Sequence, residues 1–274
     1  MASEKLRELL LGASPRLRSL VDERDSLRAE LDKSRRRLKR ARRERDELLA
    51  QLGTRAGEAP AGLGYLFIVT YGRSGSTLLQ GILNSIPGYA IRGENGDALR
   101  GLYEFRERMR FNSNKQRRST ELASSHPYYG IDLYDDPAAR EQLQGLALAT
   151  VIHPPLDARV VGYKEIRWFT PDYQEYLAFV VSVFPGARFV VNTREHEVVA
   201  QSKWWAKDPQ ALEKLGEYEA KLDAMCKVLG DRAFRVHYDE YIADPASLRA
   251  MFEWLGEEFD VESVKQVMAV RHSY

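Results

Sequence analysis

Cysteine is almost missing from the 274 residues: Cys226 stands alone. A single thiol excludes an intrachain disulfide and any metal site built on clustered cysteines, and it fits a reducing compartment. The five histidines show no ligand spacing, so no metal is expected. No apolar run approaches the roughly 20 residues of a membrane helix. The stretch LLLGA near the N-terminus is too short for the apolar region of a secretory signal, so the chain is expected in the cytoplasm, without a transmembrane segment. An excess of charge of one sign is also absent, the formal net charge being +1. That balance hides an asymmetry, because residues 1–52 carry 15 Lys/Arg against 10 Asp/Glu and the remainder is acidic.

The basic segment has its own periodicity. Residues 17–52 can be written as heptads with Leu17, Leu20, Arg24, Leu27, Leu31, Ser34, Leu38, Ala41, Arg45, Leu48 and Leu52 at a and d. Apolar residues fill most of these positions and Arg, Glu and Asp crowd the others, the pattern of a coiled coil. A lone helix would leave that seam wet, so residues 1–52 are expected to form a homodimer, by a parallel coiled coil. An antiparallel return onto the rest of the chain would satisfy the same seam. The run KSRRRLKRARR has the charge to attract nucleic acid or an anionic membrane. Its interleaved leucines make a solvated basic helix face the simpler account, and no nucleic-acid partner is expected.

GTRAGEAPAG, residues 53–62, reads as a linker that ends the helix. From residue 63 to 274 short apolar runs alternate with helical stretches. Strands are expected at 64–70, ARVVGYK, ARFVVN and FRVHY, and helices at 76–86, 97–110, 139–151, 172–184, 195–206, 209–229 and 246–256. Such alternation implies an α/β domain of three layers, P-loop-type, with a mainly parallel sheet covered on both faces. Residues 111–135 are polar and rich in turn formers, and read as a long surface loop or lid.

The chemistry begins where the first strand ends. GYLFIV runs through Thr70 into YGRSGSTLL, and two glycines, three hydroxyls and a guanidinium are poor core material. In an open parallel sheet, ligands lie beyond the carboxyl ends of the strands. A loop turning there into a helix offers unpaired N–H groups and the positive end of the helix dipole to an anion. Gly72 and Gly75 allow the tight path, Ser74, Ser76 and Thr77 add hydroxyls, and Arg73 adds a forked cation. A nucleoside triphosphate loop needs four residues between its glycines and a Gly-Lys-Ser/Thr ending. Here only Arg73 and Ser74 separate the glycines and no lysine follows, so the loop is a phosphate binder of another kind.

YLFIVTYGRSGSTLLQGIL resembles the 5′-phosphosulfate loop of sulfotransferases that use 3′-phosphoadenosine-5′-phosphosulfate (PAPS). RFVVNTREHEVVAQSKWW resembles the 3′-phosphate motif of the same family, a strand ending in Arg with a Ser eight residues on, matched by Arg194 and Ser202. An Arg at a strand mouth and a Ser about two helical turns later can converge on one phosphate. AIRGEN resembles the segment that supplies the catalytic base in tyrosylprotein and some bacterial carbohydrate sulfotransferases, which places Glu94 in that role. VVGYKEIRWF resembles the strand end whose Lys steadies the transferring sulfuryl group, which falls to Lys164, with Arg73 assisting. FRVHYDEYIADP resembles the strand preceding Tyr-Glu, and Tyr238 then lies beside the adenine. The resemblance covers roughly residues 64–257. The basic, glycine-containing motif that completes the 3′-phosphate site in cytosolic sulfotransferases is not found, which leaves Arg271 or Lys203 to supply that charge.

The resemblance implies transfer of a sulfuryl group from PAPS to a hydroxyl on a carbohydrate or glycolipid, with Glu94 as base and Glu165 the next candidate. Trp204 and Trp205 could wall an acceptor pocket or simply pack beneath a helix. Two other classes compete. A P-loop kinase using ATP would require the missing lysine, and an inactive coiled-coil scaffold would not need Arg73, Glu94, Lys164, Arg194 and Ser202 together.

Overall fold

GYLFIV forms the strand β1 (Gly64–Val69), buried from Tyr65 onward. A computed structural model describes residues 62–117 and 122–270, with isolated positions between 19 and 34. The chain divides between Arg55 and Ala56 into two units. Those positions between 19 and 34 are helical; the rest of the expected coiled coil, and the linker up to residue 61, lie outside the described residues.

Four further strands, β2 (Tyr89–Arg92), β3 (Val160–Glu165), β4 (Arg188–Thr193) and β5 (Ala233–His237), join β1 in a sheet of order β2-β3-β1-β4-β5. Every pairing among them is parallel. Parallel strands are buried on both faces and read as continuous apolar runs, which is why β1, β3 and β4 were legible as such. Successive side chains of β1 point to opposite layers. Phe67 packs into one of them, its ring 5.0 Å from that of Tyr163, 5.2 Å from Phe184 and 5.6 Å from Phe189. Leu66 and Ile68 enter the other.

The Phe67 layer is closed by α2 (Ala98–Gln116), α3 (Asp136–Ala147), α4 (Tyr173–Val183) and α6 (Ala211–Leu229), through residues such as Tyr103, Leu143, Phe179 and Leu222. The opposite layer holds α1 (Ser76–Asn84), α7 (Tyr238–Ala243), α8 (Arg249–Leu255) and α9 (Val261–Ala269), through Leu79, Tyr241, Phe252 and Val264. The expected three-layer α/β fold is therefore present. No described helix is long and apolar enough to cross a membrane.

Several boundaries differ from the sequence reading. Residues 111–116, expected as loop, continue α2; Arg106 on that helix is pinned by two hydrogen bonds of 2.8 Å to Asp136, which fixes α2 against α3. The helix expected at 195–206 ends early, as α5 (His196–Ala200), followed by a 3₁₀ turn at Trp205–Lys207. Lys203 lies between them with φ of 46°, a left-handed conformation that no helix continues through. β2 has four residues, too few to show alternation, and was not anticipated. Neither was α9, although Asp260 caps it by accepting from the N–H groups of Glu262 and Ser263.

Gly162 marks a close approach between β3 and β1. A Cβ there would overlap the carbonyl oxygen of Leu66 on β1. Because that oxygen belongs to a buried central strand, relief would require moving backbone. Gly162→Ala is expected to destabilise the fold by about 3 kcal/mol or more, read as a lowered midpoint in denaturant.

Candidate active site

The loop after β1 is bolted to the end of β4. Thr70 Oγ1 bonds the Asn192 carbonyl at 2.7 Å and Ser74 Oγ at 2.6 Å, and Asn192 Nδ2 donates to the Ser74 carbonyl at 2.9 Å. Tyr71 donates its hydroxyl to the Arg194 carbonyl at 2.8 Å and accepts the Arg194 N–H at 2.9 Å. Burial pushes the Tyr71 phenol well above its ordinary range, so it stays a neutral bridge. Trp205 Nε1 donates to the Gly72 carbonyl at 3.1 Å. The loop is thus held to its neighbour strand by side chains on both.

Within that frame the backbone reverses twice. Arg73 and Gly75 both take left-handed conformations, with φ of 71° and 80°. At Gly75 only glycine fits, because a Cβ would run into the Tyr238 ring. At Arg73 a residue with a side chain accepts the strain, which is characteristic of functional positions. The first N–H groups of α1 follow directly, so the turn and the helix start face the same space.

The two distant motifs meet here. Arg73 Nε donates to Ser202 Oγ at 2.9 Å across a separation of 129 residues. Arg194 Nη1 donates to the Arg73 carbonyl at 3.2 Å, and its guanidinium carbon lies 4.4 Å from the centre of the Tyr238 ring. Arg194 Nε is buried and has no hydrogen-bond partner among the described residues; the nearest carboxylate oxygen, on Asp239, is 3.8 Å away.

Lys164 emerges at the carboxyl end of β3, 5% exposed. Its Nζ donates to Glu94 Oε1 at 2.6 Å, and Arg167 Nη1 stands 3.8 Å from the other oxygen of Glu94. Glu94 itself keeps 35% of its side chain exposed. The neighbouring Asp97 also has φ in the left-handed region, 62°. Burial raises the Asp97 carboxyl to about 6, against the lowering effect of the hydrogen bond it accepts from Tyr176 at 2.8 Å.

A cleft of about 370 Å³ joins these groups, within the size range of small-molecule sites. Of the residues singled out from sequence, Gly72, Arg73, Gly75, Ser76, Thr77, Glu94, Lys164, Arg194 and Tyr238 line it. Ser74 does not: it is fully buried and its hydroxyl is taken by Thr70. Ser202 reaches the site through Arg73. Lys203 sits at the strained turn beyond Ser202, and Arg271 lies outside the described residues. The sequence reading missed the apolar lining, namely Leu78, Ile166, Ile242, Met268 and Val270. Trp204, left open before, lines the cleft with 51% of its surface exposed, whereas Trp205 is packed beneath it. Among the described residues no group of His, Cys, Asp and Glu could hold a metal ion. One end of the cleft therefore offers N–H groups and guanidinium to anionic oxygens, and the other offers a carboxylate paired with an ammonium.

A model of the sulfotransferase family matches residues 66–261. That span is more than half of the chain and contains Arg73, Glu94, Lys164, Arg194, Ser202 and Tyr238, and the chain belongs to that family. Solved structures similar to it include the sulfotransferase domain of the Synechococcus PCC 7002 olefin synthase, at 20% identity over 78% of this chain and 82% of that one, with a TM-score of 0.43. Sulfotransferase STF1 from Mycobacterium tuberculosis H37Rv is 15% identical over 82% and 74%, with a TM-score of 0.42. Retinol dehydratase, solved with androsterone and the inactive cofactor PAP, is 18% identical over 74% and 62%, with a TM-score of 0.37. No curated protein matches the chain.

Proposed function

We propose that the cleft binds PAPS and transfers its sulfuryl group to a hydroxyl of a carbohydrate or glycolipid. The observation that supports this reading is the contact of Arg73 with Ser202, which joins the two phosphate-type motifs beside a cleft that Arg73 and Arg194 both line. The 5′-phosphosulfate sits on the turn at Gly72–Gly75 and the N–H groups of Ser76 and Thr77. The 3′-phosphate takes the fork of Arg194, whose Nε has no hydrogen-bond partner among the described residues, together with Ser202. Tyr238, Leu78, Ile242 and Met268 give the adenine an apolar slot.

In the transfer step the acceptor oxygen attacks sulfur as the bond from sulfur to the 5′-phosphate oxygen breaks. The acceptor proton passes to Glu94, and the leaving bisphosphate takes the electron pair. Lys164 and Arg73 stabilise the charge on the sulfuryl and bridging oxygens. These cations supply the stabilisation with no metal assigned a part. A kinase reading finds no lysine in the loop to engage the terminal phosphates of ATP. We also assign homodimerisation to the heptads of residues 17–52, and a cytoplasmic location.

The test is incubation of the full chain with sulfur-labelled PAPS and a panel of saccharides and extracted glycolipids. Label on an acceptor hydroxyl is expected. Phosphoryl transfer from labelled ATP to the same panel, with no sulfur transfer, would overturn the assignment.

A further inference from the structure

Directly behind Glu94 lies a second carboxylate that the proposed reaction does not use. Glu165 is 1% exposed and is not part of the cleft lining. An ionised carboxylate so deeply placed is costly unless its acceptor sites are filled. Here both oxygens are engaged. Oε1 accepts the Ile166 N–H at 2.8 Å and Arg167 Nη1 at 3.0 Å. Oε2 accepts the N–H groups of Asn95 at 3.3 Å and Asp97 at 2.9 Å. Four donors use the roughly four lone-pair sites a carboxylate has, so Glu165 is engaged by the loop and Arg167 rather than turned to the cleft.

The donors from residues 95 and 97 are the informative ones. Gly96 and Asp97 are both left-handed, with φ of 72° and 62°. Such turns bring neighbouring N–H groups to one side, a concavity that binds anions elsewhere in proteins. In this chain the concavity closes on Glu165. The peptide group pinned at Asn95 is the one that joins it to Glu94, and Asn95 in turn accepts the Ala98 N–H at 2.8 Å. The loop therefore cannot rotate about Glu94 without uncovering a buried charge. Arg167 spans the two carboxylates, 3.0 Å from Glu165 and 3.8 Å from Glu94.

We propose that Glu165 is a positioning residue: its buried carboxylate fills the N–H concavity of residues 95–97 and so fixes Glu94 against Lys164. The inference rests on the reading of Glu94 as base. It removes Glu165 from consideration as a base in its own right and gives the carboxylate behind the site a mechanical role instead.

The test is a double-mutant cycle in the full chain, measuring single-turnover transfer and donor KM for the wild type, Glu165→Gln, Glu94→Gln and the double variant. In Glu165→Gln an amide meets N–H donors where an oxygen is needed. Transfer should fall by up to about 10²-fold, the scale of a misplaced catalytic group, with donor KM unchanged. In the Glu94→Gln background the same substitution should cost nothing further. An equal loss in both backgrounds, or full activity of Glu165→Gln, overturns the proposal while leaving the base intact. An active Glu94→Gln protein overturns the base and the positioning claim together. Should Glu165→Gln fail to fold, Gly96→Val addresses the loop from solvent, since no atom lies within 4 Å of a Cβ at that position and only its positive φ is penalised. It should show the same selective loss of transfer, absent in the Glu94→Gln background; unchanged transfer overturns the proposal.

Discussion

Glu94→Gln is expected to lower the transfer rate by about 10² to 10⁴, the usual contribution of a general base, while leaving affinity for 3′,5′-adenosine bisphosphate unchanged. The amide is the informative replacement because it preserves shape and an oxygen for Lys164. That lysine is 5% exposed and donates to Glu94 at 2.6 Å. Alanine would leave the ammonium without an acceptor, and the damage would mix loss of proton transfer with a buried unsatisfied donor. Gln keeps the pair geometry but cannot accept a proton. Rapid-quench measurement with labelled donor reads the first quantity and calorimetry reads the second. Transfer at the wild-type rate would remove Glu94 from the mechanism.

Arg194→Ala should weaken binding of the bisphosphate by about 10²-fold, since truncating a buried charge partner typically costs 2–5 kcal/mol. The same change should leave affinity for AMP nearly unaltered, because AMP lacks the 3′-phosphate. That contrast separates loss of a ligand contact from general damage. Arg194 also donates to the Arg73 carbonyl and lies over the Tyr238 ring, so a modest loss common to both nucleotides is part of the expectation. Arg194→Lys should recover less than half of the lost binding energy, because an ammonium restores charge without the two-pronged geometry. Equal losses for AMP and the bisphosphate would place the 3′-phosphate elsewhere.

The charged and polar residues of the cleft were more legible than its apolar lining. GYLFIV followed by YGRSGST carries its own context, an apolar strand, a glycine turn and a helix start, and the loop was readable for that reason. Arg194 and Ser202 were readable from their place after a second apolar strand. What sequence could not carry was depth. Lys164 and Glu165 are adjacent, both charged and both buried, yet one donates into the cleft and the other collects N–H donors behind it. Spacing gives no hint of which does which. Ser74 and Ser76 likewise look equivalent in the loop, but Ser74 turns inward to Thr70. Met268 and Val270 were missed because α9 went unanticipated, although the Asp260 cap was there to be read. The early end of α5 depends on the left-handed Lys203, a tertiary constraint that local propensity does not encode.

The central claim is that one cleft recognises an adenosine nucleotide by both of its phosphate ends. Isothermal titration of the full chain with 3′,5′-adenosine bisphosphate, AMP and ATP tests it most directly. The account predicts that the bisphosphate binds about 10²-fold more tightly than AMP and more tightly than ATP. Affinity for ATP equal to or above that for the bisphosphate would contradict it.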